Sequence, residues 1–133
     1  MQYRLAAAAV LVWLLTGCVS KQIVQATGIT DKTVCIVDNP SVRPEFRDAY
    51  ERQIRAKGYE TKIVADVASC LTTTTYRATY GFHWGAYLSS AQLTVFSSGK
   101  EIGKAIYKAP YADPSKHGRV EGKIETLVSQ LLP

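Results

Sequence analysis

An uninterrupted apolar run, Leu5-Ala-Ala-Ala-Ala-Val-Leu-Val-Trp-Leu-Leu15, follows a short start, Met1-Gln-Tyr-Arg4, that lacks acid. As a helix this run would rise about 16 Å, roughly half of the ~30 Å hydrocarbon core of a bilayer. Neither caps nor a polar stripe accompany it, so a buried core helix fits it poorly. Its length and flanks suit the apolar region of a signal peptide. The run is therefore taken out of the fold, and the rest of the 133-residue chain is long enough for one domain but not two.

Leu15-Thr16-Gly17-Cys18 closes the run and resembles a lipobox, in which two small residues let the backbone enter the lipoprotein signal peptidase ahead of a cysteine. The resemblance implies cleavage after residue 17. It also implies a diacylglyceryl thioether on Cys18 and, as a rule, an N-acyl chain such as palmitate. Two acyl chains suffice for stable anchoring, at about 0.8 kcal/mol per buried methylene. Val19 and Ser20 follow. Without an Asp directly after the cysteine, analogy with Gram-negative lipoproteins favours the outer membrane, with the domain facing the periplasm.

Once Cys18 is assigned to lipid, Cys35 and Cys70 remain of the three cysteines. In an oxidising compartment they are expected to form a disulfide, although two buried free thiols are the alternative. Closing the loop from residue 35 to residue 70 would contribute at most about 3.8 kcal/mol by chain entropy. The spacing matches neither a C-x-x-C redox motif nor a zinc site.

Charge narrows the partners. Removing Arg4 with the leader takes one of 16 basic residues and none of 11 acidic ones, leaving 15 against 11, a formal +4. Acids and bases alternate, as in Glu45-Phe-Arg-Asp-Ala-Tyr-Glu-Arg52. A nucleic-acid binder would gather its charge into a stripe, so nucleic acid is not expected as a partner.

Residues 18–30 show no sustained period and read as a lipidated tether, leaving 31–133 as the folded domain. Thr33 to Asp38 is a β-branched run suited to a buried strand, ended by Asn39-Pro40. Pro44 to Lys57 reads as a helix with Phe46, Ala49, Tyr50 and Ile54 on one face, stopped by Gly58. Tyr59 to Val67 makes a second strand, so a right-handed βαβ unit is expected. Thr72–Trp84, Leu88–Ser97 and Glu101–Lys108 form a meander, with Ala91, Leu93 and Val95 inward, a turn at Gly99, and Ile102 and Ile106 as the apolar positions of the last strand. Arg119 to Leu132 closes the chain as an amphipathic helix. The order β-α-β-β-β-β-α predicts an α+β two-layer sandwich: a mixed sheet with both helices on one face.

The candidate chemistry is sparse. His83 and His117 have no ligand-spaced neighbour, so neither a metal nor a cofactor is expected. Ser89, Ser90, Ser97 and Ser98 sit in no nucleophile elbow, and Ser98-Gly99-Lys100 is a hairpin turn, not a phosphate cradle. Asp38, at a strand end, is explained as well by an Asp-Asn-Pro turn. No catalytic set emerges, and the chain is expected not to be an enzyme. The aromatic stripe Tyr76, Tyr80, Phe82 and Trp84, with Tyr87 beside it, is the candidate binding surface if it lies on an open face. The competing reading puts it in the core.

Val34-Cys-Ile-Val-Asp-Asn-Pro40, Tyr76-Arg-Ala-Thr-Tyr-Gly-Phe-His-Trp84 and Phe96-Ser-Ser-Gly-Lys-Glu-Ile-Gly-Lys-Ala105, together with the lipobox, resemble a group of small outer-membrane lipoproteins of Gram-negative gammaproteobacteria. That resemblance implies anchoring and no assigned chemistry. The order of elements is also similar to that of the lipopolysaccharide-assembly lipoprotein. The expected role is a binding or accessory module of the envelope, with an envelope protein as partner. The alternative is a subunit assisting outer-membrane lipid or lipopolysaccharide transport. Inhibition of lysozyme, itself commonly basic, fits the positive charge poorly.

Overall fold

The computed structural model describes residues 21–109 and 118–133. Six strands and two helices follow one another as β1 (Lys21–Val24), β2 (Thr33–Val37), α1 (Pro44–Ala56), β3 (Glu60–Val64), β4 (Thr72–Phe82), β5 (Ala86–Ser97), β6 (Lys100–Lys108) and α2 (Val120–Leu131). They form a mixed sheet of order β1-β6-β5-β4-β2-β3. The fold is α+β. β2, α1 and β3 make a βαβ unit, with β2 and β3 running parallel. β4 joins β2 on its other side, also parallel.

Directly opposed residues of neighbouring strands share a face of the sheet. Tyr76, Leu93 and Ala105 are opposed across β4, β5 and β6, as are Ala78, Ala91 and Tyr107. The helices meet this surface. The Phe46 ring of α1 stacks 5.8 Å from that of Tyr76, and Lys123 of α2 lies 5.6 Å from the centre of the Tyr107 ring. One cluster of buried side chains results, among them Phe46, Tyr50, Ile54, Leu93, Ile124 and Leu127. At about 25 cal/mol per Å² of apolar surface removed from water, this cluster supplies the main driving force for folding.

Four features differ from the sequence reading. Lys21–Val24 is not tether but an edge strand, paired antiparallel with β6 from Lys21↔Tyr107 to Val24↔Lys104. Its backbone bonds suffice for pairing, so it needs no hydrophobic period, and the chain that follows is drawn in. Ala26 is buried and donates its N–H to the Leu131 carbonyl at 2.8 Å. The signal peptide, Cys18 and the rest of residues 1–20 lie outside the described residues, as do His117 and most of the loop before α2.

The second strand ends early. β3 stops at Val64, and Val67–Ser69 forms a 3₁₀ turn capped by Asp66, whose carboxylate accepts from the Ala68 N–H at 2.9 Å. In β6 the inward positions are Gly103, Ala105 and Tyr107, while Ile106 lies opposite Gln92 and Gln22 on the other face. At residue 103 only glycine fits, because Ala26 crosses directly over it. Finally, β5 bulges where Ser89 and Ser90 together face Thr79, both hydroxyls bonded to it. That extra residue turns Leu88 into the core, opposite Tyr80.

Cys35 and Cys70 are joined, with Cα atoms 6.3 Å apart. Cys35 lies opposite Thr73, on the sheet face away from Tyr76. The bridge thus pins the 3₁₀ turn over the centre of β2.

Candidate functional site

β2, β3, β4 and β6 all finish at one end of the sheet, where β1 and β5 begin. Both helices also start there, because each follows a strand that ends there. The aromatic stripe runs toward this end, and the structure divides it into three environments.

Tyr76 belongs to the core. Only 2% of its surface is exposed, its ring lies edge-on to Tyr50 at 6.2 Å, and its hydroxyl reaches the tip of β2. That hydroxyl accepts from the Asn39 N–H at 3.0 Å and donates to the Asp38 carboxylate at 3.3 Å. The Asn39 side-chain amide returns a bond to the Tyr76 carbonyl at 3.0 Å. Burial, more than any other cause, holds the Tyr76 hydroxyl above its ordinary pKa. Asp38 also receives Arg47 at 3.1 Å, and Asn39 Oδ1 accepts from the Ser41 N–H. Asp38 and Asn39 therefore organise a turn and secure a core tyrosine.

Tyr80 is intermediate. The Arg43 guanidinium lies 4.2 Å above its ring, a cation–π contact. Beside them is a cleft of about 300 Å³ between α1 and the start of α2, floored by Phe46, Ala49 and Val120. Its rim charges pair with each other: Arg52 donates to Glu121 at 2.9 and 3.2 Å, and Gln53 adds a bond at 3.3 Å. The Arg52 guanidinium, as the larger cause, holds the Glu121 carboxyl below its usual range. Of the two acids lining the cleft, Glu45 and Glu121, the second is held by Arg52, and among the described residues no group of three or more His, Cys, Asp or Glu is placed to hold a metal. The sequence offered no signal for this cleft, because Arg43, Arg52 and Glu121 are brought together only by the docking of the helices.

Phe82 and Trp84 stand clear of the body. They are 82% and 92% exposed, well above the other large apolar side chains. The tip between β4 and β5 is closed by a bond from the His83 N–H to the Gly85 carbonyl at 3.0 Å. Trp84 adopts φ 61° there, a left-handed conformation uncommon for a bulky side chain. The His83 imidazole lies 6.3 Å from the indole. Tyr87 is half-buried on β5, its ring laid across Gly81, where a Cβ would come within 2.7 Å of it. The five aromatics thus include one core residue, two half-buried residues and an exposed pair.

Ser98 (φ 50°) and Gly99 (φ 77°) form the two-residue turn between β5 and β6, and the Ser98 N–H donates to the Leu71 carbonyl. No helix among the described residues is long and apolar enough to cross a membrane.

No family model and no curated protein matched the chain. Among solved structures it is similar in fold to a PelC dodecamer from Paraburkholderia phytofirmans, with a TM-score of 0.57 at 8% identity, covering 84% of this chain and 92% of that one. A PDZ domain protein from Parabacteroides distasonis aligns with a TM-score of 0.40 at 11% identity, over 80% of this chain and 34% of that one.

Proposed function

We propose that this chain is a lipid-anchored protein of the bacterial envelope, held on the outer membrane through Cys18, and that its domain is a binding or accessory module without catalytic activity. The observation that carries this reading is the position of Lys21. It is already a paired residue of the sheet, so only Val19 and Ser20 separate it from Cys18. Acyl chains on that cysteine would hold the domain against the bilayer with almost no spacer. A disulfide in so small a domain fits an oxidising compartment such as the periplasm.

Intact-mass analysis of the protein extracted from its native membranes tests the reading. The expected product begins at Cys18 and carries diacylglycerol plus one acyl chain. A product that retains Met1, or has an unmodified thiol at residue 18, would overturn it.

Assembly into a ring is a second reading. The fold matches nearly the full length of a PelC chain described as a dodecamer, and among the described residues β1 and β3 each pair with one strand only, as edges do. Light scattering on the detergent-extracted protein decides it, since a single monomeric mass would end that reading.

A further inference from the structure

The exposed pair at the β4–β5 tip and the start of the described chain share one end of the sheet. Lys21 pairs with Tyr107, Tyr107 with Ala91, and Ala91 with Ala78. These four residues lie in one row across β1, β6, β5 and β4. The chain leading into Lys21 arrives from the end toward which β4 runs. Phe82 lies four residues beyond Ala78, about 13 Å further toward that end, and Trp84 lies beyond it. Residues 18–20 can span at most about 10 Å from Lys21 in the same direction. The lateral offset between β1 and β4 is three strand spacings, about 14 Å. A bilayer reached by acyl chains on Cys18 is therefore within reach of the hairpin tip.

We propose that Phe82 and Trp84 form a membrane-insertion site that sinks into the headgroup–acyl boundary of the bilayer to which Cys18 is anchored. The inference rests on the lipid-anchor reading and extends it from a single tether to a two-point attachment that orients the domain.

Four points support it. Among the described residues, the two largest exposures of bulky apolar side chains, Phe82 and Trp84, stand together at one tip. An indole combines an apolar body with one N–H donor and is favoured at membrane interfaces. The side chain sits on a left-handed residue at the apex and leaves the core untouched, so insertion requires no rearrangement of the fold. Lys21 and Lys108, both exposed at this end, are placed to meet anionic headgroups. A protein partner would also cover such a tip, but the approach of the anchored chain from the same end favours lipid.

The two tryptophans are Trp13 and Trp84. A Trp13→Phe change in the full-length gene makes Trp84 the only indole whether or not the leader is removed. The protein is extracted from membranes and returned to phosphatidylethanolamine–phosphatidylglycerol vesicles. Intact mass and co-flotation report the anchor, and Trp84 fluorescence reports depth. Insertion predicts emission shifted to shorter wavelength, strong quenching by brominated acyl chains, and several-fold weaker quenching by acrylamide than for free N-acetyltryptophanamide. Adding Phe82→Ser is expected to reduce the bromolipid quenching without altering the thermal melt.

An acylated protein that floats with vesicles while Trp84 ignores bromolipid and is quenched like the free compound would overturn insertion and leave the anchor standing. An unmodified Cys18 on a protein that does not float would overturn both.

Discussion

Ala26 packs directly against the bare Cα of Gly103: a Cβ placed on Gly103 would lie 2.6 Å from the Ala26 Cα and 2.7 Å from its N. The chain after β1 crosses this point to deliver the Ala26 N–H to the Leu131 carbonyl at 2.8 Å, tying the first strand to the last helix. Backbone cannot yield as a side-chain tip can, so even one methyl must displace the crossing. Gly103→Ala is expected to destabilise the domain by about 1–3 kcal/mol, the usual range for overpacking. A urea midpoint unchanged from the parent protein would show that Ala26 does not hold this position.

The Cys35–Cys70 bridge closes a long loop, and its removal should act mainly on the unfolded chain. The double change Cys35→Ala, Cys70→Ala is expected to cost about 2–4 kcal/mol. The oxidised parent should lose a similar amount on addition of reductant, and the double variant should lose none. Equal urea midpoints with and without reductant in the parent would mean that the bridge does not stabilise it.

Tyr50 gives the alkaline limit. Its hydroxyl is fully buried and 2.6 Å from Thr74 Oγ1. Thr74 gives its own proton to the Thr94 carbonyl at 2.8 Å, so Tyr50 must be the donor. Desolvation raises the Tyr50 pKa far above its ordinary value of 10.0. Because the raised value belongs to the folded state, its contribution is fully present below pH 10. It is lost as pH rises beyond that point, where the unfolded chain releases the proton and the folded one keeps it. Stability measured from neutral to strongly alkaline pH is expected to fall above pH 10, and Tyr50→Phe should flatten that fall while costing about 1 kcal/mol at neutral pH for the hydrogen bond lost to the Thr74 oxygen, which keeps its own bond to Thr94. An identical alkaline slope in both proteins would assign the loss to other groups.

These cases also show which parts of the structure were legible in the sequence. α1 was legible because Phe46, Ala49, Tyr50 and Ile54 repeat at helical spacing and all four are buried. β2 was legible because a short β-branched run between breakers has few other uses. β1 was not, because an edge strand needs only backbone bonds and Lys21–Val24 has no period. The aromatic stripe could be seen, but its division could not. Parity assigns Tyr76, Tyr80, Phe82 and Trp84 to one side, yet exposure depends on where the helices stop covering the sheet. The pairing of Ser89 and Ser90 against Thr79 likewise had no signature, since two adjacent serines fit a regular strand as well as a bulge. The cleft at Arg43, Arg52 and Glu121 depends on tertiary docking alone.

Four consecutive threonines, Thr72 to Thr75, read as one uniform stretch, but two neighbours among them are expected to respond oppositely to the same substitution. The Thr74 hydroxyl bridges Tyr50 and the Thr94 carbonyl inside the core. Thr74→Val would leave the buried Tyr50 hydroxyl without its acceptor, at about 1–3 kcal/mol. Thr73 faces the other way, opposite Cys35, and is fully buried. Its Oγ1 has no hydrogen-bond partner among the described residues. Burying a hydroxyl without a partner is unfavourable, and valine fills nearly the same volume with a methyl group. Thr73→Val is therefore expected to stabilise the domain by about 1 kcal/mol, read as a higher urea midpoint at unchanged slope. If Thr73→Val instead destabilises the protein as much as Thr74→Val does, the Thr73 hydroxyl has a partner, and the packing beneath the disulfide differs from that described.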